Sequence, residues 1–193
     1  MIQAQASVPS PSFDHRREGL WIIVMGVAGC GKSTLARQVA EALKLTFIEG
    51  DQFHPPENIQ KMSQGVALDD VDRQGWLDRL GAELQSYPGG AVLACSALKR
   101  PYRVRLRQAV RQSIFVHLRV TQELANARVQ ARSGGHPFPS SLVASQFATL
   151  EDPCGEERVL QLDGAMAPSV LCSRTIKWID TQGIQANAKQ RIG

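Results

Sequence analysis

Residues 20–27 form an unbroken apolar run, and the chain passes directly from it through Gly26-Val27-Ala28-Gly29-Cys30-Gly31-Lys32-Ser33-Thr34. A short run without polar alternation reads as a strand buried on both faces. Such a strand needs cover on two sides, and residues 32–43 supply the first layer. There Leu35, Val39, Ala42 and Leu43 fall on one side of a helix. The run is far too short to span a bilayer, which takes roughly 18 apolar residues.

The rest of the chain repeats the alternation. Strand-like segments lie at residues 45–50, 91–97, 113–120 and 159–164. Helix-like segments lie between them, at 71–86, 101–110, 121–132, 140–149 and 168–180, with a helical turn at 58–62 after Pro55-Pro56. Strands alternating with helices predict an α/β fold: a five-stranded parallel sheet flanked by helices in three layers. Nothing recurs at a fixed period, so a solenoid is unsupported. In such a fold, ligands are expected at the carboxyl ends of the strands.

The chain has 193 residues, 43% hydrophobic and 21% charged, which excludes wholesale disorder and fits one domain. Residues 1–19 and 184–193 read as flexible tails around a domain at 20–183. Lys+Arg 22 against Asp+Glu 18 gives +4, a mild excess that suits small anionic ligands and does not indicate nucleic acid or a membrane surface. The four cysteines (Cys30, Cys95, Cys154, Cys172) form no CxxC pair. With no secretory pattern at the N-terminus, they read as reduced thiols of a cytoplasmic protein.

Residues 26–33 match GxxxxGK[ST] between a strand and a helix. Glycines let the backbone curl with its N–H groups inward, so that Gly26 to Thr34 surround a phosphate at a helix N-terminus. Lys32 brings a point charge to the β and γ oxygens of ATP, and Ser33 is placed to ligate Mg²⁺. Asp51 follows the second strand and is the candidate to orient an acceptor hydroxyl or take its proton. Glu49 beside it is a candidate to hold a Mg²⁺-bound water. His54, then Asn58 and Lys61 three residues apart, suit a hydroxylated anion, although an ordinary exposed helix face has the same spacing. Among Asp69, Asp70, Asp72 and Arg73, an aspartate is expected to cap the next helix. Trp76 is read as core.

After the third strand, Ser96 is placed to bond a water or the Mg²⁺ shell. Lys99 and Arg103 share a helical spacing suited to a carboxylate. Arg128 and Arg132 precede Gly134-Gly135. Such a helix–loop–helix, at about 128–140, is expected to act as a mobile lid that supplies a guanidinium and excludes water. His136 lies in that loop and Gln146 after it. These features alone leave several readings open: a small-molecule kinase of one of several specificities, or a nucleotide-binding switch or nucleic-acid-associated ATPase.

Longer motifs narrow the choice. GDQFHPPENIQKMSQGVALDDVDRQGWL, CSALKRPYRVRLR and SQFATLEDP closely resemble the signatures of the gluconokinase family, related in fold to shikimate and nucleoside-monophosphate kinases. With the phosphate loop they span about residues 20–180. The resemblance implies ATP- and Mg²⁺-dependent phosphorylation of D-gluconate to 6-phospho-D-gluconate in a homodimer. It carries the acidic station onto Asp51 and the substrate-facing positions onto His54, Asn58, Lys61, Arg73, Ser96, Lys99, Arg103 and Gln146. The chain departs from the family pattern at Glu49, where Asp is usual, at Ala67, where Pro is usual, at Val104, where an acid is common, and at Cys30. Its lid reads GGHPFP, with an extra glycine.

Overall fold

A computed structural model describes residues 19–131 and 140–182. Its five strands are β1 (Leu20–Met25), β2 (Thr46–Glu49), β3 (Gly90–Ala94), β4 (Ile114–Arg119) and β5 (Val159–Asp163). They form one all-parallel sheet in the order β2-β3-β1-β4-β5. The helices are α1 (Lys32–Leu43), α2 (Pro56–Ser63), α3 (Asp70–Gln85), α4 (Arg100–Ala109), α5 (Gln122–Ala131), α6 (Ser140–Thr149) and α7 (Pro168–Thr181). Among the described residues, no helix is long and apolar enough to cross a membrane.

The continuous hydrophobicity of β1 has a direct cause. Its side chains alternate between two cores, one on each face of the sheet. Leu20, Ile22 and Val24 pack with Leu35 and Val39 of α1 and Leu171 and Ile179 of α7. Ile23 and Met25 pack with Trp76, Leu80 and Leu84 of α3 and Leu106 of α4. β1 is the central strand, with Ile22 in register with Val92 of β3 and Ile114 of β4. Its carboxyl end therefore opens beside those of its neighbours.

Three boundaries differ from the sequence expectation. The third strand stops at Ala94 rather than continuing to 97, because the chain turns there: Ala97 has φ 44 and Gly26 N–H donates to the Ser96 carbonyl at 3.2 Å. The second strand passes into a 3₁₀ turn, Gly50–Phe53, that the residues did not announce. Trp76 Nε1 donates to the Gly50 carbonyl at 2.8 Å and ties that turn to α3. The helical turn after Pro55-Pro56 extends to a full helix over Pro56–Ser63, with Pro56 at its first position, where a missing N–H is harmless.

α3 begins with a capping box. Asp69 accepts from Asp72 N–H at 2.8 Å, and Asp72 accepts from Asp69 N–H at 3.0 Å. An N-cap of this type is worth about 1 kcal/mol.

Candidate functional site

The order β2-β3-β1 brings the polar segments after Met25, Glu49 and Cys95 to one place. They line a cavity of about 230 Å³, whose walls include Lys32, Ser33, Asp51, His54, Arg73, Ser96 and Gln146.

The loop between β1 and α1 depends on backbone geometry. Gly29 has φ 78, and a Cβ there would lie 2.5 Å from the Ala125 carbonyl oxygen. Gly26, at φ 137, would bring a Cβ 2.8 Å from the Leu118 carbonyl oxygen. Larger residues would strain both positions. α1 starts at Lys32 with Gly31 as N-cap; it has no side-chain cap and no acid in its first turn. Its first N–H groups and the positive end of its dipole thus lack an anionic side-chain partner within that turn, which suits a phosphate. Lys32 Nζ donates to the Val27 carbonyl at 3.0 Å, arching over the loop. Thr34 lies on the far side and lines a separate cavity with Cys30, Arg128, Gly164 and Pro168.

Glu49 sits at the end of β2. Burial raises its pKa above the ordinary carboxylate range; a hydrogen bond with Ser33 opposes this, and the neighbouring Asp51 charge adds to it. A hydroxyl and a carboxylate in contact beside a phosphate loop are a donor set that fits a hard divalent cation. Asp51 stands in the 3₁₀ turn, exposed and facing the cavity.

His54 is buried, with its ring stacked on Trp76 at a centroid distance of 4.2 Å and an interplanar angle of 13°. Burial is the main reason that its pKa falls to about 4; the Asp51 charge opposes this and Arg73 reinforces it. Arg73 donates to the carbonyls of Leu68 and Asp69, the latter at 3.3 Å, and is held at the cavity wall. Gln146, on α6, accepts from the Ala28 N–H at 2.6 Å and so joins that helix to the phosphate loop.

The remaining expected residues are placed elsewhere. Asn58 and Lys61 do share one side of α2, but that side is turned to α3. Asn58 donates to the Asp72 carbonyl at 2.8 Å, and Lys61 pairs with the Asp72 carboxylate at 2.6 Å. Lys99 grips Asp70 at 2.7 Å. Arg103 does make the bidentate grip its chemistry suggests, but on the chain's own Glu156: Nη2 to Oε1 at 2.5 Å and Nε to Oε2 at 3.1 Å. Its Nη1 holds the Ala97 and Leu98 carbonyls at 3.0 and 2.8 Å. None of these four residues lines the cavity. Their partners are internal carboxylates and carbonyls, so they brace the wall.

Arg128 does not stand over the main cavity. Its Nη1 donates to the carbonyls of Gly164 at 2.9 Å, Cys30 at 3.4 Å and Gly29 at 3.5 Å, behind the phosphate loop. Arg132, His136 and most of the expected lid lie outside the described residues. Trp76 is both core, at 1% exposure, and cavity wall. Its position three residues after Arg73 puts the two on one helix side, a signal that could have placed it here. The apolar wall residues Met62, Leu68, Val129 and Leu142 had no such signal.

Known proteins resemble this chain over most of its length. A family described as "AAA domain" matches residues 21–154. The gluconokinase of Gluconobacter oxydans (strain 621H) is 45% identical over 162 residues, covering 81% of this chain and 89% of that protein. The thermosensitive gluconokinase of Escherichia coli (strain K12) is 41% identical over 145 residues, covering 73% and 77%. The crystal structure of a gluconokinase from Sinorhizobium meliloti 1021 superposes with a TM-score of 0.74 at 41% identity, covering 86% of this chain and 99% of that one. At these identities and coverages, the chain belongs to the gluconokinase family of small P-loop kinases.

Proposed function

We propose that the protein transfers the γ-phosphoryl group of ATP to the terminal hydroxyl of D-gluconate, giving 6-phospho-D-gluconate and ADP. One observation carries this reading: Asp51 faces the same cavity as Lys32 and Ser33 of the phosphate loop. A hydroxyl held by Asp51 is thereby brought to the end of a triphosphate seated on the loop. Phosphoryl transfer needs mainly such alignment and charge neutralisation.

In this scheme the loop N–H groups, the α1 N-terminus and Lys32 hold the phosphates. The cavity lined by Thr34, Cys30, Arg128 and Pro168 accepts the nucleoside end. Arg73, His54, Ser96 and Gln146 offer hydrogen bonds to a carboxylate and hydroxyls. Asp51 orients the terminal hydroxyl and accepts its proton as the oxygen–phosphorus bond forms. The bond from γ-phosphorus to the bridging oxygen breaks, and ADP leaves. Mg²⁺, held by Ser33 and by Glu49 through water, would neutralise phosphate charge when bound. Arg132 and His136 belong to this reading only through their place in the expected lid at about 128–140, and the homodimer only through the family resemblance. The reading includes a cytoplasmic location, with which four free cysteines are compatible.

The test is a coupled ADP-release assay with ATP, Mg²⁺ and, in parallel, D-gluconate, shikimate and nucleoside monophosphates. Turnover with gluconate alone is the expected result. Turnover with another acceptor and none with gluconate would overturn the substrate assignment and leave the fold untouched.

A further inference from the structure

The hydrogen bonds around His54 determine more than its position. Asn58 Nδ2 lies 2.8 Å from the Asp72 carbonyl oxygen, and a carbonyl can only accept. The atom facing it must therefore be the amide nitrogen, which settles the orientation of the Asn58 side chain. The same nitrogen lies 3.4 Å from His54 Nδ1. A donor on Asn58 requires a lone pair on Nδ1, so the ring proton sits on Nε2. One ring face is covered by Trp76, and Nδ1 is turned to Asn58. Nε2 is the polar ring atom left for the cavity that His54 lines, and among the described residues it has no hydrogen-bond partner.

We propose that Asn58 is a positioning residue: it holds His54 as the neutral Nε2–H tautomer, so that the acceptor pocket presents a hydrogen-bond donor here and neither a lone pair nor a cation. The ligand group that fits is a hydroxyl or carboxylate oxygen of the acceptor. This deepens the proposed function, on which its substrate wording rests, by assigning an indirect role to a residue that touches no part of the cavity.

The surroundings keep the ring neutral. A second proton on Nδ1 would point at the Asn58 amide hydrogens. The charged groups facing the ring divide: Asp51 on the 3₁₀ turn favours the cation and Arg73 on α3 disfavours it. The nearby Asp72 carboxylate is engaged by Lys61 at 2.6 Å. Burial acts in the same direction as Arg73 and holds the pKa near 4. Affinity for the acceptor should thus be flat between about pH 5 and pH 8, where an ordinary histidine would titrate.

The direct test is ¹⁵N NMR of the free enzyme with labelled histidines, His54 being assigned by its loss in His54→Gln. The expected spectrum shows His54 Nδ1 bare and Nε2 protonated, unchanged down to about pH 5. A proton on Nδ1, or a ring titrating near 6.5, would overturn the proposal. Because the spectrum is recorded without substrate, it can fail while gluconate turnover stands, and the reverse. The variant test uses Asn58→Asp, whose carboxylate would accept a hydrogen bond from Nδ1–H, favour the tautomer with its proton on Nδ1, and so leave Nε2 bare. The KM for gluconate should then rise about tenfold or more at pH 8 and recover as acid adds the second ring proton, with the KM for ATP little changed. A uniform loss at every pH would mark a merely structural Asn58 and contradict the proposal.

Discussion

The two sides of the cavity are built in opposite ways. On the nucleotide side, the contacts that hold phosphate come from main chain: glycines at positive φ, uncapped N–H groups at the start of α1, and one lysine arching over them. On the acceptor side, side chains do the holding, and many of them hold one another. Asp72 takes Lys61 and the N-cap of α3, Asp70 takes Lys99 and Tyr102, and Glu156 takes Arg103. A backbone cradle is fixed by a local sequence, whereas a side-chain wall is fixed by packing between distant segments. The first is hard to alter without losing it. The second can be retuned one residue at a time.

Breaking the nucleotide side should give the largest effect. Gly29→Ala places a methyl group 2.5 Å from the Ala125 carbonyl and strains a residue at φ 78. Turnover is expected to fall at least about a hundredfold, through loss of preorganised phosphate donors. Nucleotide binding by calorimetry and steady-state kinetics would check it, and a fully active variant would contradict a backbone cradle.

On the acceptor side the comparison predicts a split between two arginines. Arg103→Met removes one partner of a buried pair and leaves Glu156 and two carbonyls unmatched; about 3–5 kcal/mol of stability should be lost. Arg73→Met removes a cation at the cavity wall, and the KM for gluconate should rise roughly tenfold or more with a smaller change in melting temperature. Thermal denaturation and kinetics on both variants distinguish wall from brace. An exchange of the two phenotypes would refute the division.

A smaller effect sharpens the picture through pH. Each side holds one buried histidine: His54 at the acceptor wall and His117 on β4, beside Val27 of the phosphate loop. Burial lowers both to about 4. Between pH 6.5 and 4 the unfolded chain binds protons that the folded chain does not, so stability rises with pH across that window and is lost as pH falls. Each histidine contributes about 1 kcal/mol per pH unit there. Denaturant titrations from pH 7 to pH 4.5 should show this slope, reduced by His54→Gln or His117→Gln. An unchanged slope in either variant would mean that the histidine is not held neutral by the fold.

The sequence carried the fold further than the wall. The central strands were legible because β1 and β3 are covered on both faces and so read as unbroken apolar runs, while β4 carries only His117 and Arg119 among apolar residues. The phosphate loop was legible because its requirement is local. The 3₁₀ turn at Gly50–Phe53 was not, since it depends on Trp76 Nε1 reaching Gly50 from α3. Spacing put Asn58 with Lys61 on one helix side, but Lys99 is the N-cap of α4, in extended backbone, and reaches Asp70 while Arg103 reaches Glu156. Spacing did not announce that Lys61 and Lys99 pair with Asp72 and Asp70 of α3. Arg128 shows the same limit: its place at the end of α5 was foreseen, but not its three carbonyl partners behind the loop.

The central claim is that one cavity brings a backbone-held triphosphate and a side-chain-held hydroxyl together at Asp51. Asp51→Asn tests it most directly, with turnover and ATP affinity measured on the same preparation. The account predicts a fall in kcat of about a hundredfold to ten-thousandfold, with the Kd for ATP within about threefold of the parent, because ATP is held by other groups. Near-normal turnover in that variant would contradict it.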